Sequence, residues 1–210
     1  EVDEKVTAMI QGGNFEEGQF LVMVTRGGTI KRTALSAYKN VRKGGLIAIT
    51  LQEGDELAWV RVTGGTSELL IATKMGMAIR IEEKEIRPLS RSAMGVRAIK
   101  LREGDEVVGM ARLRKGATVM TVTDRGQGRR TEISDYRVQG RGGYGSINYK
   151  VGDTKGFVCG IKVVDETDDI ILISNDGIII RMHVSDIGVM SRYASGVRVM
   201  RLSDDARVVT

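Results

Sequence analysis

The sequence predicts an all-β, propeller-like array of about four blades, each built of four short antiparallel strands. Three observations carry this prediction. A layout of six features recurs four times with a period of about 50 residues, the period of propeller and solenoid arrays. Each repeat holds short β-branched runs bounded by Gly, Asp and Asn turns, the pattern of strands rather than helices. Twenty-seven glycines stand against one proline, which supplies many tight turns between those runs.

The repeats register on a glycine that follows an apolar run: Gly28, Gly76, Gly126 and Gly177. An arginine follows at the same offset (Arg32, Arg80, Arg130, Arg181), then a large residue (Tyr38, Ile86, Tyr136, Ile187). A basic loop comes next, closed by Gly45, Gly95, Gly145 and Gly196, then an apolar run and an acidic turn such as EGDE at Glu53–Glu56 and Glu103–Glu106. These features divide the chain at 19–66, 67–115, 116–166 and 167–210, with 1–18 read as the tail of a preceding blade. Both ends read as cut, so the chain is expected to be a piece of a longer array.

In the first repeat the expected strands are Phe20–Thr25, Thr29–Thr33, Leu46–Leu51 and Leu57–Val62. The second gives Leu69–Thr73, Ala78–Ile81, Val96–Leu101 and Val107–Leu113, and the third Thr118–Thr123, Gly128–Thr131, Ser146–Val151 and Phe157–Val164. The fourth gives Ile170–Ser174, Ile178–Met182, Val197–Leu202 and a short Arg207–Val209. Around Ile133–Val138 and its equivalents a single 3-10 turn is expected. A four-stranded blade cannot bury both faces alone, so neighbours must stack.

Composition narrows the function. An apolar content of 41% is ample for a core. The single Cys159 rules out an internal disulfide and fits a reducing compartment. No apolar run approaches the roughly 18 residues of a membrane helix. Catalysis is poorly supplied: His183 is the only histidine, at a strand end, and Cys159 lies in an apolar run. The EGDE turns lack the ligand spacing of a calcium loop. The glycine-rich RVQGRGGYG does not lead from a strand into a helix, as a nucleotide-phosphate loop would.

The basic residues carry more. The net charge is +5, which favours an anionic partner. One ring of repeat-equivalent positions holds Arg32, Arg80, Arg130 and Arg181, with Lys31 and Arg129 beside two of them. A second ring, in the loops, holds Arg42, Arg91, Arg141 and Arg192, with Lys43, Arg87 and Arg137 nearby. Equivalent positions face the same way, so these residues are expected to form a basic belt around the rim. Such a belt binds a polyanion by releasing its counterions, without reading bases. With 4% aromatic residues, stacking on single strands is poorly supplied, so duplex phosphates are the expected target and bending the expected consequence.

Three long strings carry a resemblance. TKMGMAIRIEEKEIRPLSRSAMGVRAIKLREGDEVVGM (73–110), SDYRVQGRGGYGSINYKV (134–151) and NDGIIIRMHVSDIGVMSRYASGVRVMRL (175–202) resemble repeats of the C-terminal domain family of the DNA gyrase A subunit. The resemblance implies a β-pinwheel, in which neighbouring blades exchange strands and duplex DNA wraps around the outer rim. It also implies a role in ATP-driven negative supercoiling. The partners would be gyrase B and the remainder of gyrase A, in an A2B2 complex. ATP and Mg would bind elsewhere in that enzyme, no cofactor in this chain, and the isolated piece would be monomeric and cytoplasmic. Two departures stand out. The family's array has about six blades. Its seven-residue box, Gln-Arg-Arg-Gly-Gly-Lys-Gly, is matched only loosely, by Gln139–Gly145, so the true box is expected before residue 1. The equivalent domain of topoisomerase IV is the alternative within the family. A protein-binding propeller scaffold is the alternative outside it, with Trp59 as a thin candidate anchor.

Overall fold

The computed structural model describes residues 6–10, 15 and 17–209. The first repeat contributes β1 (Phe20–Thr25), β2 (Thr29–Ala34) and β3 (Leu57–Thr63). The second contributes β4 (Glu68–Thr73), β5 (Met77–Glu82), β6 (Val96–Arg97) and β7 (Val107–Arg112). From the third come β8 (Thr118–Thr123), β9 (Gln127–Glu132), β10 (Ser146–Ile147) and β11 (Val158–Val164), and from the fourth β12 (Asp169–Ile173), β13 (Ile179–His183) and β14 (Val197–Arg198). The expected 3-10 turns stand at Leu35–Tyr38, Glu83–Glu85, Ile133–Asp135 and Val184–Asp186.

Every pairing between strands is antiparallel, and the sheets run β3-β1-β2-β6, β7-β4-β5-β10, β11-β8-β9-β14 and β12-β13. The last strand of each four-stranded sheet therefore comes from the following repeat, which makes this a strand-exchanged propeller. The expected third runs are corrected by the structure. The exchanged strands pair over two residues only. Leu46–Leu51 forms no strand, because among the described residues no hairpin stands before it to receive it. The fourth blade holds two strands, plus a single bridge from Ser174 to Val208. Val6–Ile10 is exposed and in no strand; much of 1–18, read as the tail of a preceding blade, lies outside the described residues.

Glycine explains why the exchange is so short and yet tight. The Gly28 carbonyl accepts from Ala98 N (2.8 Å) and Ile99 N (3.4 Å); Gly76 and Gly126 accept likewise from Asn148 and Tyr149, and from Val199 and Met200. One carbonyl taking two consecutive amides bends the incoming chain away after two residues. Gly28 has φ +83°, and a Cβ there would stand 2.9 Å from the Ile99 oxygen. The closing glycine faces the same demand from the other side: Gly95 has φ +106°, and a Cβ would meet Ile30 O at 2.6 Å. Only glycine meets both conditions at low cost.

The core lies between blades. Alternate residues of one strand face opposite neighbours: Leu69 and Ile71 pack with Val22, Val24 and Ile30 of the first blade, while Leu70 and Ala72 pack with Val119, Tyr136 and Ile161 of the third. A third cluster joins Met120, Val122, Ile170, Leu172, Ile187 and Val208. Each blade thus completes the core of the next, as the two-faced runs require. A cavity of about 390 Å³ is lined from all four blades, among others by Trp59, Val108, Cys159 and Leu172. The Cys159 thiol donates to Val122 O at 3.5 Å, and burial pushes it up to about 12.

Candidate nucleic-acid interface

The two predicted basic rings separate in the structure. In the first three repeats the strand ring turns inward and ties blade to blade. Arg32, 7% exposed, lies over the Phe20 ring (4.6 Å), donates to Gly65 O (3.1 Å) and pairs with the buried Glu83 of the next repeat at 3.8 Å. Arg80 donates to Glu68 and, across the junction, to Ile133 O (3.0 Å) and Tyr136 O (2.8 Å). Arg130, 3% exposed, donates to Ile187 O at 2.5 Å and to Glu166 at 2.8 Å. The main-chain carbonyls of Arg32, Arg80 and Arg130 accept from Leu89, Gln139 and Met190 of the following repeat, each at 2.8 Å. Arg181 is exposed but held by Asp169, whose carboxyl Arg181 and His183 keep below its ordinary range.

Lys31 and Arg129 lie deeper still, with no exposed surface. Lys31 donates to Ala48 O (2.5 Å) and Arg91 O, and Arg129 to the equivalent carbonyls, Asn148 O and Arg192 O (2.8 Å). The Arg129 guanidinium also stacks on Tyr149, 4.6 Å from the ring centre. Burial, and secondarily the Arg91 cation, lowers Lys31 to about 8. Burial likewise pulls Arg129 below its ordinary value. Lys31, Arg32, Arg129 and Arg130 therefore leave the predicted belt: all four are buried, and they donate to interior carbonyls, to the buried Glu83 and, from Arg130, to the exposed Glu166. Arg80, half-buried and fully engaged, leaves it with them.

The loop ring faces outward. Arg42, Lys43, Arg87, Arg137 and Arg141 are exposed, and Arg91 and Arg192 half-buried. Three loop arginines share one anchor: Arg91, Arg141 and Arg192 each use Nη1 to donate to the preceding repeat, at Ile47 O (2.9 Å), Arg97 O (3.3 Å) and Ile147 O. Each guanidinium is thereby fixed at one nitrogen. In the third repeat the loop also overlaps its neighbour like a shingle, with Gly142 N donating to Ala98 O (2.6 Å) and Lys100 N to Gly143 O (2.8 Å).

Beside these loops stand exposed basic residues the sequence reading passed over: Arg97, Lys100, Arg102, Lys150, Arg198 and Arg201. Their signal was present, since Lys100, Lys150 and Arg201 all stand five residues beyond a closing glycine. Reading these runs as full strands hid it. In fact only the middle pair of each run is buried (Ala98 and Ile99, Asn148 and Tyr149, Val199 and Met200), and the residue after it returns to solvent. The resulting edge carries positive charge along successive loops. Among the described residues no three His, Cys, Asp or Glu side chains group as a metal would require, and no helix is long and apolar enough to cross a membrane.

Exchanged strands, inter-blade cores and a loop edge of outward cations define a strand-exchanged β-propeller module with a basic edge. The family model described as DNA gyrase C-terminal domain, beta-propeller, matches residues 19–63, 67–114, 117–165 and 168–210, and the chain belongs to that family. It is 46% identical to the DNA gyrase A subunit of Clostridium acetobutylicum over 207 residues, covering 99% of this chain and 25% of that protein. Against the DNA gyrase A subunit of Staphylococcus aureus (strain NCTC 8325) the identity is 43% over 213 residues, covering 100% and 24%. The chain thus spans about a quarter of the length of these curated relatives. Among solved structures, the C-terminal domain of a DNA topoisomerase IV superposes with a TM-score of 0.92 at 27% identity, covering 99% of this chain and 65% of that one. A DNA gyrase A C-terminal domain gives 0.84 at 25% identity, covering 94% and 66%.

Proposed function

We propose that this chain binds duplex DNA without sequence preference and bends it along the loop edge. In this reading it is the DNA-wrapping part of gyrase A. The observation that carries the proposal is the segregation of its cations: the strand-ring arginines of the first three repeats are engaged within and between blades, while the loop and exchange residues stand outward. A curved line of fixed cations neutralises phosphates on one side of a duplex and releases their counterions. Bending then lets more phosphates reach the line, at a deformation cost that varies with sequence.

The whole enzyme implied by this reading pairs gyrase A with gyrase B, in the bacterial cytoplasm at the nucleoid. There the wrapped segment is presented for strand passage, and ATP-driven negative supercoiling follows. DNA cleavage and the ATP and Mg sites belong to other parts of that enzyme. The fold serves topoisomerase IV equally well; the 43–46% identity to gyrase A proteins favours gyrase. A protein scaffold is less well supplied, since Trp59 is half-buried against the inter-blade core. Binding to linear duplexes of increasing length across a salt series tests the proposal. Affinity is expected to rise with length until the edge is covered and to fall steeply with salt. Absence of binding at low salt overturns the reading.

A further inference from the structure

The cations of the loop edge are not evenly spread, and two exposed tyrosines mark where they gather. At the junction of the second and third blades, Tyr144 lies 44% exposed beneath two cations. Lys100 Nζ stands 5.0 Å and the Arg102 guanidinium 5.9 Å from its ring centre. Arg141, anchored on Arg97 O, belongs to the same loop. At the junction of the third and fourth blades, Tyr193, 57% exposed, takes Lys150 at 5.8 Å and Arg192 at 5.3 Å. Lys100 and Lys150 occupy the same repeat position, and in both cases the ring comes from the following repeat's loop.

The first junction lacks this arrangement. Thr50 stands where Lys100 and Lys150 do, Gln52 where Arg102 does, and Met94 where Tyr144 does. The Thr50 hydroxyl instead donates to Ser92 O at 2.6 Å and seals the loop.

We propose that Tyr144 and Tyr193 are the centres of two discrete phosphate clamps, at the second–third and third–fourth junctions, and that the first junction carries none. The proposal rests on the duplex-binding reading above and deepens it. A free lysine or arginine surrenders rotamer freedom when fixed on a phosphate. A ring under the cation holds part of that order in advance. The phenol hydroxyl is a further donor to a phosphate oxygen. The ring here orients cations; it does not stack on bases, which a paired duplex keeps covered.

The test compares duplex binding by the unaltered chain, by Tyr144→Ala with Tyr193→Ala, and by the corresponding Phe pair, alongside thermal midpoints. The Ala pair is expected to weaken binding about tenfold, since four cation–ring contacts, two at each tyrosine, are lost, with an unchanged midpoint. The Phe pair, which keeps both rings, should retain most of the affinity. If the unaltered chain binds duplex and the Ala pair binds equally well, the clamps are refuted while the duplex reading stands. Failure of the unaltered chain to bind removes both. If single strands compete better than duplex, and do so through the tyrosines, base stacking replaces the clamp.

Discussion

Lys31 shows how a residue type can mislead about its role. Its ammonium lies inside the fold on two carbonyl oxygens, Ala48 O and Arg91 O, at the place Arg129 takes two repeats later. Between about pH 8 and its ordinary 10.5 the folded chain has released this proton and the unfolded chain still holds it. The unfolded state then binds more protons, so stability rises with pH across that window. Lys31→Met should abolish this part of the rise, up to about 3 kcal/mol in urea unfolding; an unaltered pH profile in the variant would show that the ammonium is not desolvated. Burial was not legible at this position because Lys31 sits beside Arg32 in a polar-looking TIKRT. The structure resolves the pair: Lys31 faces one side of the strand and Arg32 the other, and neighbouring repeats cover both.

At the scale of elements, the exchanged segment decides the architecture. The anchor glycines, the basic loops and the strand hairpins were all legible, because turn chemistry and period-two patterning are local. The short exchange was not, since Val96–Leu101 reads as a six-residue strand and only the partner blade's glycine carbonyl cuts it to two. Alternation between repeats was partly legible. Repeats one and three place Lys31 with Tyr38 and Arg129 with Tyr136 where repeats two and four place Ile79 with Ile86 and Ile180 with Ile187. Polar and apolar plugs therefore alternate along the array, and each cation in the polar ones satisfies one carbonyl of its own repeat and one of the next repeat's loop. Gly76 tests the exchange most sharply. It has φ +80°, and a Cβ would press into the Tyr149 carbonyl. Gly76→Ala should cost more than about 1 kcal/mol, through backbone strain and the displaced Tyr149 segment. A variant as stable as the parent in denaturant unfolding would mean the junction adapts freely.

At the scale of the whole molecule, burial sorts the basic residues into two groups with opposite consequences. Arg80 and Arg130 bind blades together; Arg97, Lys100, Arg141 and Lys150 face outward along the loop edge. The fold needs the first group and the proposed function needs the second. The salt dependence of duplex binding, measured beside urea unfolding for two variants, separates them. In one, Arg80 and Arg130 become Met; in the other, Arg97, Lys100, Arg141 and Lys150 become Gln. The Met variant should lose roughly 1–3 kcal/mol for each set of carbonyls left without a donor, yet keep the parent's salt slope while folded. The Gln variant should unfold like the parent, while its slope of log K against log salt falls by about 0.9 for each phosphate no longer neutralised. A Gln variant with the parent's slope, or a folded Met variant whose slope has collapsed, would contradict the assignment of the loop edge as the DNA-binding surface.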